Sequence, residues 1–180
     1  MFIRFIFILI FTINLYAGSL PKNKHFGMEV NPLYILLSGS SERYLSGTIS
    51  YFDHDKNAEI AFPIGYYKED YHDYKQYTFD LHYRKFIGDK MEGLYYSGFA
   101  RLAKLEGMSG NYLIKQTKFG LGVGVGFRIF FENGFYWGGS LGVGSYITGK
   151  NDRFTNAMFV ITDDPMFIFD VELLKVGYSF

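Results

Sequence analysis

Lys115 to Phe131 read KQTKFGLGVGVGFRIFF, and this stretch decides the fold. One parity holds Phe119, Leu121, Val123, Val125, Phe127, Ile129 and Phe131; the other holds Lys118, Gly120, Gly122, Gly124, Gly126 and Arg128. A helix would mix the two sets on every face, whereas a strand puts every large apolar group on one side. Each interior glycine would also cost a helix about 1 kcal/mol. The stretch is therefore a long β-strand with one oily face and one nearly bare face.

The same period of two recurs on both sides of it. Ala58, Ile60, Phe62 and Ile64 alternate with Glu59, Ala61, Pro63 and Gly65; Tyr77, Phe79, Leu81 and Tyr83 alternate with Gln76, Thr78, Asp80, His82 and Arg84. Trp137, Leu141 and Val143 alternate with Gly138, Ser140, Gly142 and Gly144. Eight strands are predicted: Phe26–Ser38, Arg43–Phe52, Ala58–Lys68, Tyr74–Phe86, Gly93–Leu105, Tyr112–Phe131, Phe135–Gly149 and Met166–Phe180. Short polar turns (Asp53–Asn57, Ile87–Glu92, Glu132–Gly134) alternate with longer or more polar connections (Glu69–Asp73, Glu106–Asn111, Lys150–Pro165), although Gly39–Glu42 is short.

Composition agrees with an all-β protein. The 180 residues include 16 Tyr, 20 Phe and 21 Gly but only 4 Pro, which favours strands and small-residue positions. With 18 Lys+Arg against 18 Asp+Glu there is no basic excess for a nucleic acid. The lack of Cys excludes a disulfide scaffold, a thiolate metal site and a Cys nucleophile. Residues 1–17, MFIRFIFILIFTINLYA, place Arg4 before an apolar run and a small Ala17, the layout of a secretory signal peptide, the alternative being an uncleaved anchor. A short segment, 18–25, then leads into one domain, 26–180, which has no apolar run long enough for a transmembrane helix.

A soluble sandwich and a membrane barrel both alternate, but they differ in the second face. A sandwich would show water a face dense in charged and hydroxyl groups. Here that face is Gly, Ser, Thr and Tyr with isolated charges, which suits a narrow barrel interior. Unpaired backbone groups cannot face lipid, so only a closed β structure spans a membrane. The expectation is an eight-stranded antiparallel up-and-down transmembrane β-barrel whose lumen is just wide enough for side chains.

At the C-terminus Leu174, Val176, Tyr178 and the final Phe180 alternate to the last residue. This ending resembles the C-terminal strand of bacterial outer-membrane β-barrels, the segment that the barrel assembly machinery reads in that family. Glu29-Val30-Asn31-Pro32-Leu33, Tyr83-Arg84-Lys85-Phe86 and Glu92-Gly93-Leu94-Tyr95 look like a family of small outer-membrane barrels similar to the OmpA transmembrane domain, OmpX and OmpW. The resemblance implies an outer-membrane location, outer-membrane lipids and the assembly machinery as partners, and no particular activity. It puts both chain ends in the periplasm and the longer loops outside. Aromatic rims are then expected at Tyr95, Tyr96, Phe131, Phe135, Trp137, Tyr178 and Phe180 below, and at Tyr44, Tyr66, Tyr67 and Tyr77 above.

Three features need accommodation. Pro32 and Pro63 fall inside predicted strands and call for a bulge or a strand end. Asp170 and Glu172 share the parity of Leu174, which calls for a bulge or register change that turns the acids inward.

The predicted lumen carries Glu29, Glu59, Asp80, His82, Arg84, Arg101 and Arg128. They read as a paired network that plugs the barrel, with a polar solute path as the rival, because unpaired buried charge is strongly destabilising. Gly120, Gly122, Gly124 and Gly126 face the same side as Gly138, Gly142 and Gly144; Phe52, Tyr67, Tyr95 and Phe99 are expected to fill this bare wall, and otherwise a cavity or a conduit for a hydrophobic ligand remains. No cofactor is expected. His54 and His72 lie among acids without a compact set of three metal ligands. Lipid A deacylases use a His and a Ser two residues apart, but His82 is followed by Arg84, so a lipid-modifying enzyme is the weaker reading. The role expected is structural or surface interaction, with Glu69–Asp73 and the apolar Lys150–Pro165 loop as contacts for a partner or small ligand.

Overall fold

The computed structural model describes residues 20–71, 73–88, 90–109, 112–149 and 166–180. The predicted signal peptide, His72 and the loop 150–165 lie outside the described residues. Eight strands appear in the order β1 (Phe26–Val30), β2 (Glu42–Asp53), β3 (Ala58–Glu69), β4 (Tyr74–Phe86), β5 (Gly93–Ser109), β6 (Tyr112–Phe130), β7 (Phe135–Tyr146) and β8 (Phe167–Ser179), with a helix α1 (Pro32–Leu37) after β1. Each strand pairs antiparallel with the next, and β1 pairs with β8, closing the barrel. Both described chain ends lie at one end of it, with the turns at 53–58, 86–93 and 130–135. At the last of these turns Gly134 adopts φ +94°, a conformation that only glycine takes up cheaply.

Parity sorts the side chains as the sequence expects. Val123 is 62% exposed and Val125 60%, while Gly126 and Arg128, of the opposite parity, are buried. Met28, Ile49, Phe62, Phe79, Leu121, Leu141 and Leu173 join them on an outward face that is oily all round the barrel. No described helix is long and apolar enough to cross a membrane.

The first strand departs from expectation. It stops at Val30, and the predicted continuation to Ser38 is instead helical. Asn31 Oδ1 accepts the Leu33 N–H at 3.1 Å, capping the helix. Pro32 then sits in the first helical turn, where the N–H it lacks would have no partner anyway. Pro63 is accommodated without the expected bulge: it stays in the β2–β3 ladder opposite Thr48, and on its other side the β3–β4 ladder skips from Ala61↔His82 to Ile64↔Phe79 in unchanged register.

β8 does shift. Gly138 faces Lys175 but Ser140 faces Glu172, so one extra residue is taken up beside Gly139. Leu173 points outward, Leu174 is half-buried, and Glu172 and Lys175 are both buried in the lumen. One bulge thus keeps the acids of upper β8 inside and Val176, Tyr178 and Phe180 outside.

Three aromatics expected at the rims lie in the interior. Tyr95 is buried, Tyr67 is buried, and half-buried Tyr44 packs on Tyr67 with ring centroids 4.5 Å apart. All three have inward parity, which outranks their height in the wall.

Candidate functional site in the barrel lumen

The lumen is layered. At the end that holds the termini, Leu20, Phe52, Phe86, Met91, Tyr95, Phe130 and Tyr136 form one apolar cluster. At the loop end Tyr67, Tyr74, Phe99, Ala103, Leu105, Tyr146 and Ile168 form another. The two charged groups lie between, and buried Lys118 sits beside the loop-end cluster, its Nζ 5.5 Å from the Tyr146 ring centroid.

The lower charged group joins five strands. Arg128 from β6 donates to Glu29 Oε2 on β1 at 2.6 Å and to Glu59 on β3. Arg84 from β4 reaches Glu59 Oε1 at 2.9 Å and Glu29 Oε1 at 3.5 Å. Lys175 from β8 lies 3.5 Å from Glu29 Oε1 and pairs with Glu172, which also accepts from Ser140 Oγ at 3.3 Å. Glu29, Glu59 and Glu172 are thus matched by Arg84, Arg128 and Lys175. The guanidinium of Arg128 also lies 4.7 Å from the Tyr136 ring centroid, and that of Arg84 5.6 Å from Tyr95, so the lower apolar cluster serves as the floor of the network.

The upper group centres on Arg101 of β5. Its Nε donates to Asp80 Oδ1 at 2.9 Å, and its Nη2 reaches Asp80 Oδ2 and Asp170 Oδ2 at 2.6 Å each. His82 Nε2 lies 3.4 Å from Asp80 Oδ2, and its ring stacks on Phe99 at 5.1 Å and 17°.

All seven lumen residues singled out from the sequence therefore face the interior, in two groups: Glu29, Glu59, Arg84 and Arg128 below, Asp80, His82 and Arg101 above. Asp170, Glu172 and Lys175 complete them. Asp170 and Glu172 were legible as acids that had to turn inward; Lys175 carried the parity opposite Val176 and was overlooked.

The glycine wall is covered. A Cβ on Gly122 would collide with the Phe99 ring, one on Gly126 with the Tyr95 ring, one on Gly120 with Ile168 and Tyr146, and one on Gly124 with Ser97. A Cβ on Gly142 would touch Phe99, whereas on Gly144 it would strike the backbone of Leu121 and Gly122. Aromatics of β5 therefore occupy the room left at Gly122, Gly126 and Gly142, and Ile168 and Tyr146 the room left at Gly120. A cavity of about 10 Å³ remains beside His82, Arg84 and Phe99, room for about one water.

The remaining sequence candidates do not assemble a site. His54 Nε2 lies 2.8 Å from the Lys24 carbonyl, and its ring meets His25 edge-on at 5.2 Å. Among the described residues no group of three or more metal-ligating side chains comes together.

No protein-family model and no curated protein matches the chain. Among solved structures it is similar to neisserial surface protein A, NspA, with TM-score 0.55 and 13% identity over 87% of this chain and 97% of that one. It is also similar to the N-terminal β-barrel domain of Pseudomonas aeruginosa OprF, with TM-score 0.51 and 20% identity over 91% of this chain and 100% of that one. At such identities the likeness is one of fold, a closed eight-stranded barrel.

Proposed function

We propose that this chain is an integral protein of the bacterial outer membrane, exported by an N-terminal signal peptide, with a sealed lumen and a structural or surface-interaction role. The observation that carries this is the inversion of the barrel: valines, leucines and phenylalanines clothe the outside, while Glu29, Glu59, Arg84 and Arg128 are buried in the middle. A water-soluble barrel would bury the first set and expose the second. The two solved barrels of similar fold, one of them a surface protein by name, support the same reading. The longer loops at the end opposite the termini would then face the exterior, and 69–73 and 150–165 would meet partners.

The network reads as a plug because the lower group is charge-matched, the upper acids gather on Arg101, and aromatic layers close the lumen above and below. We read the role as non-enzymatic, with His82 bonded to Asp80 and stacked on Phe99 as part of the plug.

Membrane fractionation with gel migration before and after boiling tests the location. The folded chain should pellet with outer membranes and shift on boiling; a freely soluble monomer without detergent refutes it. In planar bilayers the plugged barrel should be silent, and steady unitary steps would favour the rival reading, a narrow pore or ligand conduit along the glycine wall. Unchanged lipid A masses with and without the protein are expected if it modifies no lipid.

A further inference from the structure

Val30, the last residue of β1, faces Gly47 of β2 and Val176 of β8. Both neighbours run on toward the loop end, so residues 42–46 of β2 and 167–175 of β8 have no strand between them. α1 occupies this gap and packs on both strands. Side chains stand in for the missing ladder: Tyr34 Oη donates to the Val171 carbonyl at 2.7 Å, and Ser38 Oγ accepts the Tyr44 N–H at 2.8 Å. One strand further round, at Pro63, the β3–β4 ladder is also interrupted.

A cavity of about 50 Å³ lies at this place. Its lining includes lumen-facing Asp80, Arg101, Asp170 and Glu172 together with outward-facing Leu45 and Ile64. There the wall is breached, for Leu45 and Ser46 of β2 and Phe169 and Asp170 of β8 border the cavity where no strand joins them and Tyr34 of α1 reaches across. On the outside, an apolar groove of about 630 Å³ shares Leu45, Ser46, Ile64 and Tyr66 with the cavity and runs on past Val30 and Val176 toward the end that holds the termini.

We propose that the breach and the groove form one lateral site for a membrane lipid with an ammonium headgroup, with α1 as its roof. This rests on the outer-membrane reading above. The groove takes the acyl chain, for which it offers aliphatic and aromatic walls. The breach takes the headgroup. Among the described residues Asp80, Asp170 and Glu172 form ion pairs with Arg101 and Lys175, two cations for three acids when His82 is neutral. The cavity has room for a few water-sized groups, which suits a headgroup rather than a chain. The polar end lies toward the loops and the apolar end toward the termini, the orientation of a lipid in the outer leaflet.

Trp137, the sole tryptophan, pairs with groove-lining Val176 and reports on the site. The chain is refolded in uncharged maltoside micelles, its fold is certified by the shift on boiling, and it is titrated with 11-bromoundecylamine or 11-bromoundecanol. Saturable quenching of Trp137 is expected, half-complete at about tenfold lower concentration for the amine than for the alcohol. Asp170→Asn should erase the preference for the amine. Gly47→Phe, which puts an outward ring into the groove where a Cβ meets only the Glu29 carbonyl at 3.7 Å, should abolish saturation for both probes. Quenching that is linear and equal for the two probes, or unchanged by Gly47→Phe, overturns the proposal while leaving a shifted barrel intact. A chain that shows no shift on boiling and dissolves without detergent overturns the outer-membrane reading and this site together.

Discussion

Arg128 is the residue on which the lower network turns. Its two terminal nitrogens serve carboxylates on β1 and β3, and its flat face lies on Tyr136, a combination that a single ammonium cannot reproduce. Arg128→Met would leave Glu29 and Glu59 sharing Arg84 and Lys175, and breaking a buried pair from one side costs about 3–5 kcal/mol. The midpoint of urea unfolding, followed by the loss of the unboiled gel band, should fall accordingly. Adding Glu59→Gln should restore part of the loss, because the harm lies in the stranded charge rather than in the missing contact. Among the glycines the ranking follows what surrounds each one. A Cβ at Gly122 would meet both the Phe99 ring and the Val143 carbonyl, and a carbonyl in a ladder cannot move aside. At Gly142 its nearest neighbour is the edge of Phe99 at 3.3 Å. Gly122→Ala should therefore lower stability by about 1–3 kcal/mol, the usual range for overpacking, and Gly142→Ala by clearly less; the same unfolding assay reads both.

At the scale of elements, α1 shows what a short helix owes to its ends. Six residues are too few to hold a helix by propensity. The Asn31 cap, the Tyr34 bond to β8 and the Ser38 bond to β2 hold it instead. Asn31→Ala should cost about 1 kcal/mol. It should also speed amide exchange within 33–38 before any change in β2–β7, read by hydrogen–deuterium exchange in micelles. The same element marks the limit of what the sequence made legible. Phe26, Met28 and Val30 alternate outward as a strand, and the apolar residues after them extend the impression to Ser38, while six residues give no room for a 3.6-residue period to show. Asn31-Pro32 was the signal available, a capping residue followed by the residue best tolerated at a helix start. Elsewhere, parity placed the seven lumen charges named from the sequence and the strands β2 to β7, because a period of two leaves each side chain one face. The bulge in β8 was legible for a reason of energy, since Asp170 and Glu172 could not stay on the parity of Leu174 without facing outward. The pairing of Lys175 with Glu29 was not, because it exists only once β1 lies beside β8 in the closed barrel.

At the scale of the whole molecule, closure falls to the shortest strand, and the last residue of the chain takes part in it. Phe180 donates its N–H to the Phe26 carbonyl at 2.9 Å, and its own carbonyl accepts from His25 at 3.2 Å and Phe26 at 3.1 Å. All of these bonds are made by backbone. Its ring lies outside, 55% exposed and stacked on Phe26 at 6.3 Å. The seam therefore needs a residue at position 180 more than it needs that residue's side chain. For the ring we propose a different task, recognition by the barrel assembly machinery, and the two tasks are separable. Phe180→Ala keeps every backbone bond of the seam and loses only half-exposed ring area. It should refold in micelles with nearly the yield of the parent chain and a stability loss of about 1 kcal/mol. In cells it should reach the outer membrane several-fold less well, and the unassembled chain should be degraded. Removing residue 180 altogether should impair refolding in micelles as well, since the seam bonds go with it. Quantitative immunoblots of outer-membrane fractions, set beside refolding yields of the same variants, give the comparison. If Phe180→Ala lowers both readouts in proportion, the ring contributes to the barrel alone and the recognition role is refuted.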